Sequence, residues 1–257
     1  MLVSRYPRVD TPGWKRQVAS ELRDAGIEVE VLYSRSSLAD QARAGLQEEG
    51  LGVFKRYLAL RGGSPAAPTV APGSAALAAA ENAAQSLAGW AGEHGLAVHR
   101  YDRLGDDDAL AAVRASAPDL LLLTGSDIAP ASLLSIPRVA TINAHYGLLP
   151  RYRGMNVTEW SLYHGDPPGV TVHIVDPGID TGDILLREEI PCEPGATLES
   201  LRKLHQAAAA RLLVTAALQL RDGTEQRTPQ RADEGHQYYR MHRALRARVE
   251  RDLAQRT

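Results

Sequence analysis

Apolar and polar positions along this chain fall into short β-type runs separated by stretches of helical spacing. Leu2-Val3-Ser4 reads as the end of a first strand, and the chain opens on it, which leaves room for a start upstream of Met1. Residues 14–25 place apolar side chains at helical intervals and stop at Gly26, a natural C-terminal cap. Residues 27–33 alternate and carry β-branched side chains early, which predicts a strand; a helix over about 38–58 follows. Between 61 and 73, Gly62, Gly63, Pro65, Pro68, Pro72 and Gly73 break both regular patterns, so this stretch is expected to be a flexible surface loop. An Ala-rich helix then runs to about His94, and 97–101 returns to strand spacing. Asp106, Asp107 and Asp108 stand where carboxylates favour the positive end of a helix over 109–115.

Residues 118–123 form an unbroken apolar run, the pattern of a strand covered on both faces. Further strands are expected at 139–143, 170–175 and 184–190, with helices at 158–163 and 198–220. Alternation of this kind predicts an α/β fold: an open, mostly parallel Rossmann-like sheet flanked by helices, with its site beyond the carboxyl ends of the strands. Residues 1–222 would make one domain. Residues 223–257 would form a short C-terminal extension, with a strand or turn near Tyr238 and a terminal basic helix.

Composition narrows the partners. The 257 residues carry a net charge of −2, so no general attraction to nucleic acid or a membrane surface is expected, and this weighs against tRNA. The single cysteine, Cys192, builds neither a disulfide nor a thiolate zinc cage. No apolar run approaches the roughly 18 residues of a membrane span, and no signal peptide opens the chain, so a cytoplasmic protein is expected. Oligomeric state leaves no mark on the sequence.

The candidate chemistry lies in Asn143, His145 and Asp180. Residues two apart in extended backbone point the same way, so Asn143 and His145 project together from one strand end. Asp180 stands in a turn whose bounding glycines, Gly178 and Gly182, would let backbone approach a ligand. An amine attacking an acyl carbonyl builds negative charge on oxygen and positive charge on nitrogen. Amide and imidazole N–H groups would stabilise the oxygen, and a carboxylate beside the imidazole would favour its charged form and help carry a proton. A strand-end Asn and a core His remain the plain alternative. A metal held by His145, His173 and Asp180 lacks a compact ligand motif, and none is expected.

The segments His145-x-x-Leu148-Leu149-Pro150 with Arg153-Gly154, Gly169-Val170-Thr171-Val172-His173 and Ile179-Asp180-Thr181-Gly182-Asp183-Ile184 resemble, in order and spacing, those of the folate-dependent formyltransferases. The resemblance covers roughly residues 120–220. It implies 10-formyltetrahydrofolate as donor and Asn143, His145 and Asp180 as the catalytic trio. The donor would be bordered by Gly125, Ser126, Asp127, Ile128, Leu148, Leu149, Pro150 and Ile179. Tyr146, His173, Arg153, Asn156 and Trp160 would serve the acceptor or support the site.

Three departures stand out: Tyr146-Gly147 follows the histidine, where the family often has Pro or Phe and then Ser. A glycine-rich phosphate loop after strand one is absent, with Arg5 and Arg8 in its place. Only about 35 residues follow the long helix, too few for the barrel domain of methionyl-tRNA enzymes. The expected reaction is therefore formyl transfer to an amine or hydroxylamine of a small metabolite, with tRNA set aside. The rivals are hydrolysis of the formyl donor and a non-catalytic folate- or nucleotide-binding protein.

Overall fold

Four consecutive leucines offer no polar side to solvent, so a strand built from them needs apolar cover on both faces. In the computed structural model Leu121, Leu122 and Leu123 of this run are buried, and successive residues enter different cores. The structure describes residues 1–4, 13–34, 87–126, 128–231 and 233–255. The helix expected at 38–58, the loop at 61–73, Arg5, Arg8 and Asp127 lie outside the described residues.

The described elements are, in chain order, β1 (Leu2–Ser4), α1 (Gly13–Asp24), β2 (Val31–Ser34), α2 (Leu87–Glu93), β3 (Val98–Tyr101), α3 (Asp107–Ser116), β4 (Leu120–Leu123), α4 (Ala131–Leu134) and β5 (Ala140–His145). Then come β6 (Tyr152–Gly154), α5 (Val157–His164), β7 (Gly169–Ile174), β8 (Ile184–Glu189), α6 (Leu198–Asp222), β9 (His236–Tyr238) and α7 (Arg243–Ala254). Seven strands form one open sheet in the order β3-β2-β1-β4-β5-β7-β8. The first five are parallel; β7 and β8 join antiparallel, giving the mostly parallel Rossmann-like α/β sheet expected from the alternation.

Residue period two sorts the sheet's side chains into two layers. Leu2, Leu122, Ile142, Val170 and Val172 face a core completed by α1 and α6, while Val3, Leu121 and Leu123 face α3. The Ala-rich stretch of α6 buries Ala208, Ala209, Ala210, Ala216 and Ala217, small side chains that bring the helix close to β5, β7 and β8. Asp107 and Asp108 sit in the first turn of α3, but Asp106 makes no side-chain cap bond and instead accepts from the Arg103 N–H at 3.1 Å.

Two local expectations change. The strand expected to stop at Asn143 runs on to His145, because β7 pairs with it from Ile142 to His145. The segment after Pro150, where no regular element is expected, contains β6, which pairs parallel with β9 from the C-terminal extension. A three-residue strand carries too little pattern to announce itself when its partner lies so far along the chain. The extension also bridges Thr228 to Ile184 and inserts Val249 and Leu253 of α7 into the main core.

Thr197 caps α6: its hydroxyl accepts from the Ser200 N–H, and the Ser200 hydroxyl in turn accepts from the Thr197 N–H. Thr197→Ala is expected to cost about 1 kcal/mol of stability. Urea unfolding should show a lower midpoint with an unchanged slope.

Candidate active site

Strand β5 delivers Asn143 and His145 to the carboxyl edge of the sheet, and the antiparallel neighbour β7 sets His173 directly opposite Asn143. A register shift between Val172 and His173 in the β7–β8 pairing lies beside this pair, a place where bulges commonly re-aim side chains. Asp180, in the β7–β8 connection, closes the group: its carboxylate lies 3.4 Å from His145 Nδ1 and 3.4 Å from His173 Nε2. The Gly154 N–H of β6 donates to Asp180 Oδ2 at 2.8 Å. Asp180 has φ +54, a left-handed conformation in which Asp is one of the few tolerated L residues.

The glycines around Asp180 are required by the protein's own packing. A side chain at Gly182 would fall on the Ile174 carbonyl and one at Gly178 on the Thr181 side chain. Both close approaches are to backbone or side chain of the same segment, while Asp180 itself takes the positive φ. Gly147 has a comparable role: a Cβ there would stand 2.9 Å from His145 Nε2, the Tyr152 carbonyl and Val157. The glycine that departs from the family pattern thus leaves room for the histidine's own hydrogen bond.

Proton positions follow from the partners. A carbonyl only accepts, so His145 Nε2, 2.7 Å from the Tyr152 carbonyl, is the N–H, and Nδ1 turns a lone pair toward Asp180. His173 Nδ1 likewise donates to the Ile174 carbonyl at 2.7 Å. Its Nε2 then faces the Asn143 amide nitrogen at 3.4 Å, which spends one of two hydrogens there. Burial pushes the His145 pKa down against the opposing pull of Asp180. Burial alone would raise the Asp180 carboxyl, but His145, His173 and the Gly154 N–H bring it to about 2. Near neutral pH the pair is thus an ionised carboxylate facing a neutral imidazole. A proton reaching Nδ1 would turn that contact into a charge-assisted hydrogen bond.

Asn143 and His145 open on a cavity of about 350 Å³, at the lower end of the range for small-molecule sites. Asn143, His145, Tyr146, Gly125 and Asn156 line it. Burial pushes the Tyr146 phenol well above its ordinary pKa. Asn156 starts α5 and accepts from the Met241 N–H at 3.1 Å.

Other expected positions lie elsewhere. Leu149 is fully buried behind Thr171, whose hydroxyl accepts from its N–H. Leu148, Pro150, Ser126, Ile128 and Ile179 are not among the cavity walls, and Ile128 is 79% exposed. Trp160 stacks near Tyr238 and donates to the Tyr239 carbonyl at 2.8 Å, and Arg153 is buried against Gln230 and the Arg231 carbonyl. The imidazole N–H expected to point at substrate is committed to Tyr152, which makes the Asn143 amide the donor that faces the cavity.

Sequence reading missed Trp14, Glu159, Arg202 and His205, which also line the cavity. Leu198, Arg202 and His205 follow the i, i+4, i+7 spacing of one helical face, a signal that was available. His205 is fully buried, donates from Nδ1 to the Leu201 carbonyl at 2.7 Å and sets Nε2 3.3 Å from the Thr158 hydroxyl. Among the described residues no cluster of His, Cys, Asp and Glu is arranged for a metal, and no helix is long and apolar enough to cross a membrane.

The depressed Asp180 pKa has a consequence for stability. The carboxylate's contribution is complete above the ordinary value near 3.8 and is lost as pH falls through about 2. Asp180→Asn should therefore be less stable than wild type at pH 4, by up to about 2 kcal/mol, the shift being shared with His145. Denaturant titrations repeated down to pH 2 should show the gap closing; a gap that persists at pH 2 would mean that charge is not its source.

A sequence model of the family described as formyl transferase matches residues 14–217. Methionyl-tRNA formyltransferase from Thermosynechococcus vestitus is 42% identical over 127 residues, 48% of this chain and 38% of that protein. The enzyme of the same name from Deinococcus radiodurans is 38% identical over 151 residues, 58% of this chain and 46% of the relative. The chain thus spans less than half the length of the curated relatives it matches.

Among solved structures, a sugar N-formyltransferase from Shewanella sp. FDAARGOS_354 superposes with TM-score 0.57 at 16% identity, covering 92% of this chain and 75% of that one. Glycinamide ribonucleotide transformylase 1 from Symbiobacterium toebii gives 0.56 at 20% identity, covering 86% and 87%; both share the fold. The matched relatives overturn the exclusion of tRNA. Net charge is an average over the whole surface and says nothing of a local patch. The match over residues 14–217 shows that the chain belongs to the formyl transferase family.

Proposed function

We propose that the protein is an N-formyltransferase that moves a formyl group from 10-formyltetrahydrofolate to a primary amine or hydroxylamine. The observation that carries this reading is the meeting of the Asn143 amide, His145 Nδ1 and the Asp180 carboxylate beside one cavity. The donor supplies an activated formyl carbon when bound. The Asn143 amide, with one hydrogen spent on His173 and the other facing the cavity, stabilises charge developing on the formyl oxygen. His145 Nδ1 receives the proton leaving the amine, and Asp180 stabilises the imidazolium so formed; the proton then passes to the folate nitrogen as its bond to the formyl carbon breaks, which releases tetrahydrofolate and the N-formyl product.

Of the positions expected to border the donor, Gly125 lines the cavity and would hold it. An N-formyltransferase from Helicobacter canadensis with this fold (TM-score 0.56, 12% identity, covering 92% of this chain and 69% of that one) was solved with folinic acid and dTDP-3-aminofucose, which supports a folate as the probe.

For the acceptor, the cavity admits the amine end of a small metabolite. The curated relatives favour a second reading, the amine of an aminoacyl-tRNA. Residues 1–222 would form the catalytic unit and 223–257 an extension that completes it, working in the cytoplasm.

Calorimetric titration with 5-formyltetrahydrofolate should show saturable binding, and its absence at millimolar ligand would end the folate reading. Folate release is then measured with a panel of small amines, with aminoacyl-tRNA and with no amine; release without amine would identify a hydrolase. Asn143→Ala should lose on the order of 3 kcal/mol of transition-state stabilisation, roughly a hundredfold in rate. Wild-type rates in that variant would remove the amide from the mechanism.

A further inference from the structure

Gln230, in the C-terminal extension, reaches the reacting group from behind. Its Nε2 donates to the Asp180 carbonyl at 3.0 Å and the Gly182 carbonyl at 2.6 Å. Its Oε1 accepts from Arg153 Nε at 3.2 Å and from a terminal guanidinium nitrogen at 3.1 Å. Carbonyls only accept and a guanidinium only donates, so all four bonds require one orientation of the amide. Arg153 is buried and also donates to the Arg231 carbonyl at 3.0 Å.

The two segments joined by Gln230 are the two that hold the Asp180 carboxylate. One is the loop on which Asp180 stands, in the left-handed conformation. The other is β6, where Arg153 precedes the Gly154 whose N–H grips Oδ2. Gln230 is not among the cavity walls and touches no reacting side-chain atom. We propose that Gln230 is a positioning residue: its amide fixes the Asp180 loop against β6, so the C-terminal extension sets the distance between the Asp180 carboxylate and His145. The kinetic part of this proposal rests on the formyltransferase reading; the geometric part does not.

Two variants test it. Gln230→Met keeps the length and removes all four bonds. Gln230→Glu keeps an acceptor for Arg153 but turns an oxygen toward the two loop carbonyls. Two readouts are taken on the full chain: kcat and KM for the formyl donor, and the titration of the His145 ring by NMR. The groups facing that ring are Asp180, His173 and the Tyr152 carbonyl.

Both variants are expected to lose about ten- to hundredfold in kcat, with KM changed less than about threefold. In both, His145 should titrate at lower pH than in wild type, because Asp180 is the neighbour that raises it. A lower melting temperature with kcat and the His145 titration unchanged would overturn the proposal and leave Gln230 a purely structural residue. Loss in the Met variant alone, with wild-type behaviour in the Glu variant, would also overturn it, by assigning the effect to the Arg153 bonds. If the Met variant does not fold, the Glu variant, which matches glutamine in shape, decides by the same readouts. Should wild type turn over no formyl donor, the functional reading fails, and the His145 titration still decides on Gln230.

Discussion

A carboxylate taken out of bulk water stays ionised only if donors or positive charge replace its hydration, and at Asp180 the groups that surround it come from three parts of the chain. The Gly154 N–H belongs to β6, His145 to β5 and His173 to β7. The carboxylate is therefore a junction whose geometry depends on correct pairing of strands far apart in sequence. Left-handed backbone at Asp180 adds a local cost that these contacts must offset.

The antiparallel turn of the sheet after β5 makes the junction possible. A parallel neighbour would have needed a long crossover; the antiparallel β7 instead brings His173 opposite Asn143 and leads directly into the Asp180 loop. Thr171, opposite His145 in the same pairing, donates to the Gly147 carbonyl and accepts from the Leu149 N–H, so it pins the turn that follows His145. One strand pair thus orders the amide, both imidazoles and the turn between β5 and β6. The parallel strands β1 to β4 supply the platform and its two apolar layers.

Much of this was legible from residue pattern. The unbroken run at Leu120–Leu123 marked a strand with two covered faces, and the spacing of Asn143 and His145 correctly set both on one side of a strand. Asp180 emerged from a resemblance rather than from periodicity, since only the tertiary fold carries it to His145. What stayed hidden were contacts made by short or distant segments. β6 has three residues and a partner near the chain's end, and Gln230 is one amide in a polar stretch without regular spacing. Arg202 and His205 differ in kind: their helical spacing was readable, but nothing in a single helix shows what its polar face meets.

The tautomer of His145 ties these levels together. Its Nε2 proton is fixed by the Tyr152 carbonyl, and Tyr152 is the first residue of β6. Gly147 leaves the space in which that bond forms. Pairing of β6 with β9 therefore bears on which ring nitrogen is bare, while Gly154, at the other end of the same short strand, holds the carboxylate that the bare nitrogen faces. A proton can be accepted at Nδ1 only because both ends of β6 are in register. The acid–base character of the site is in this sense a property of a three-residue strand and the distant segment that pairs with it, and it would be lost by slippage there even with Asn143, His145 and Asp180 all present.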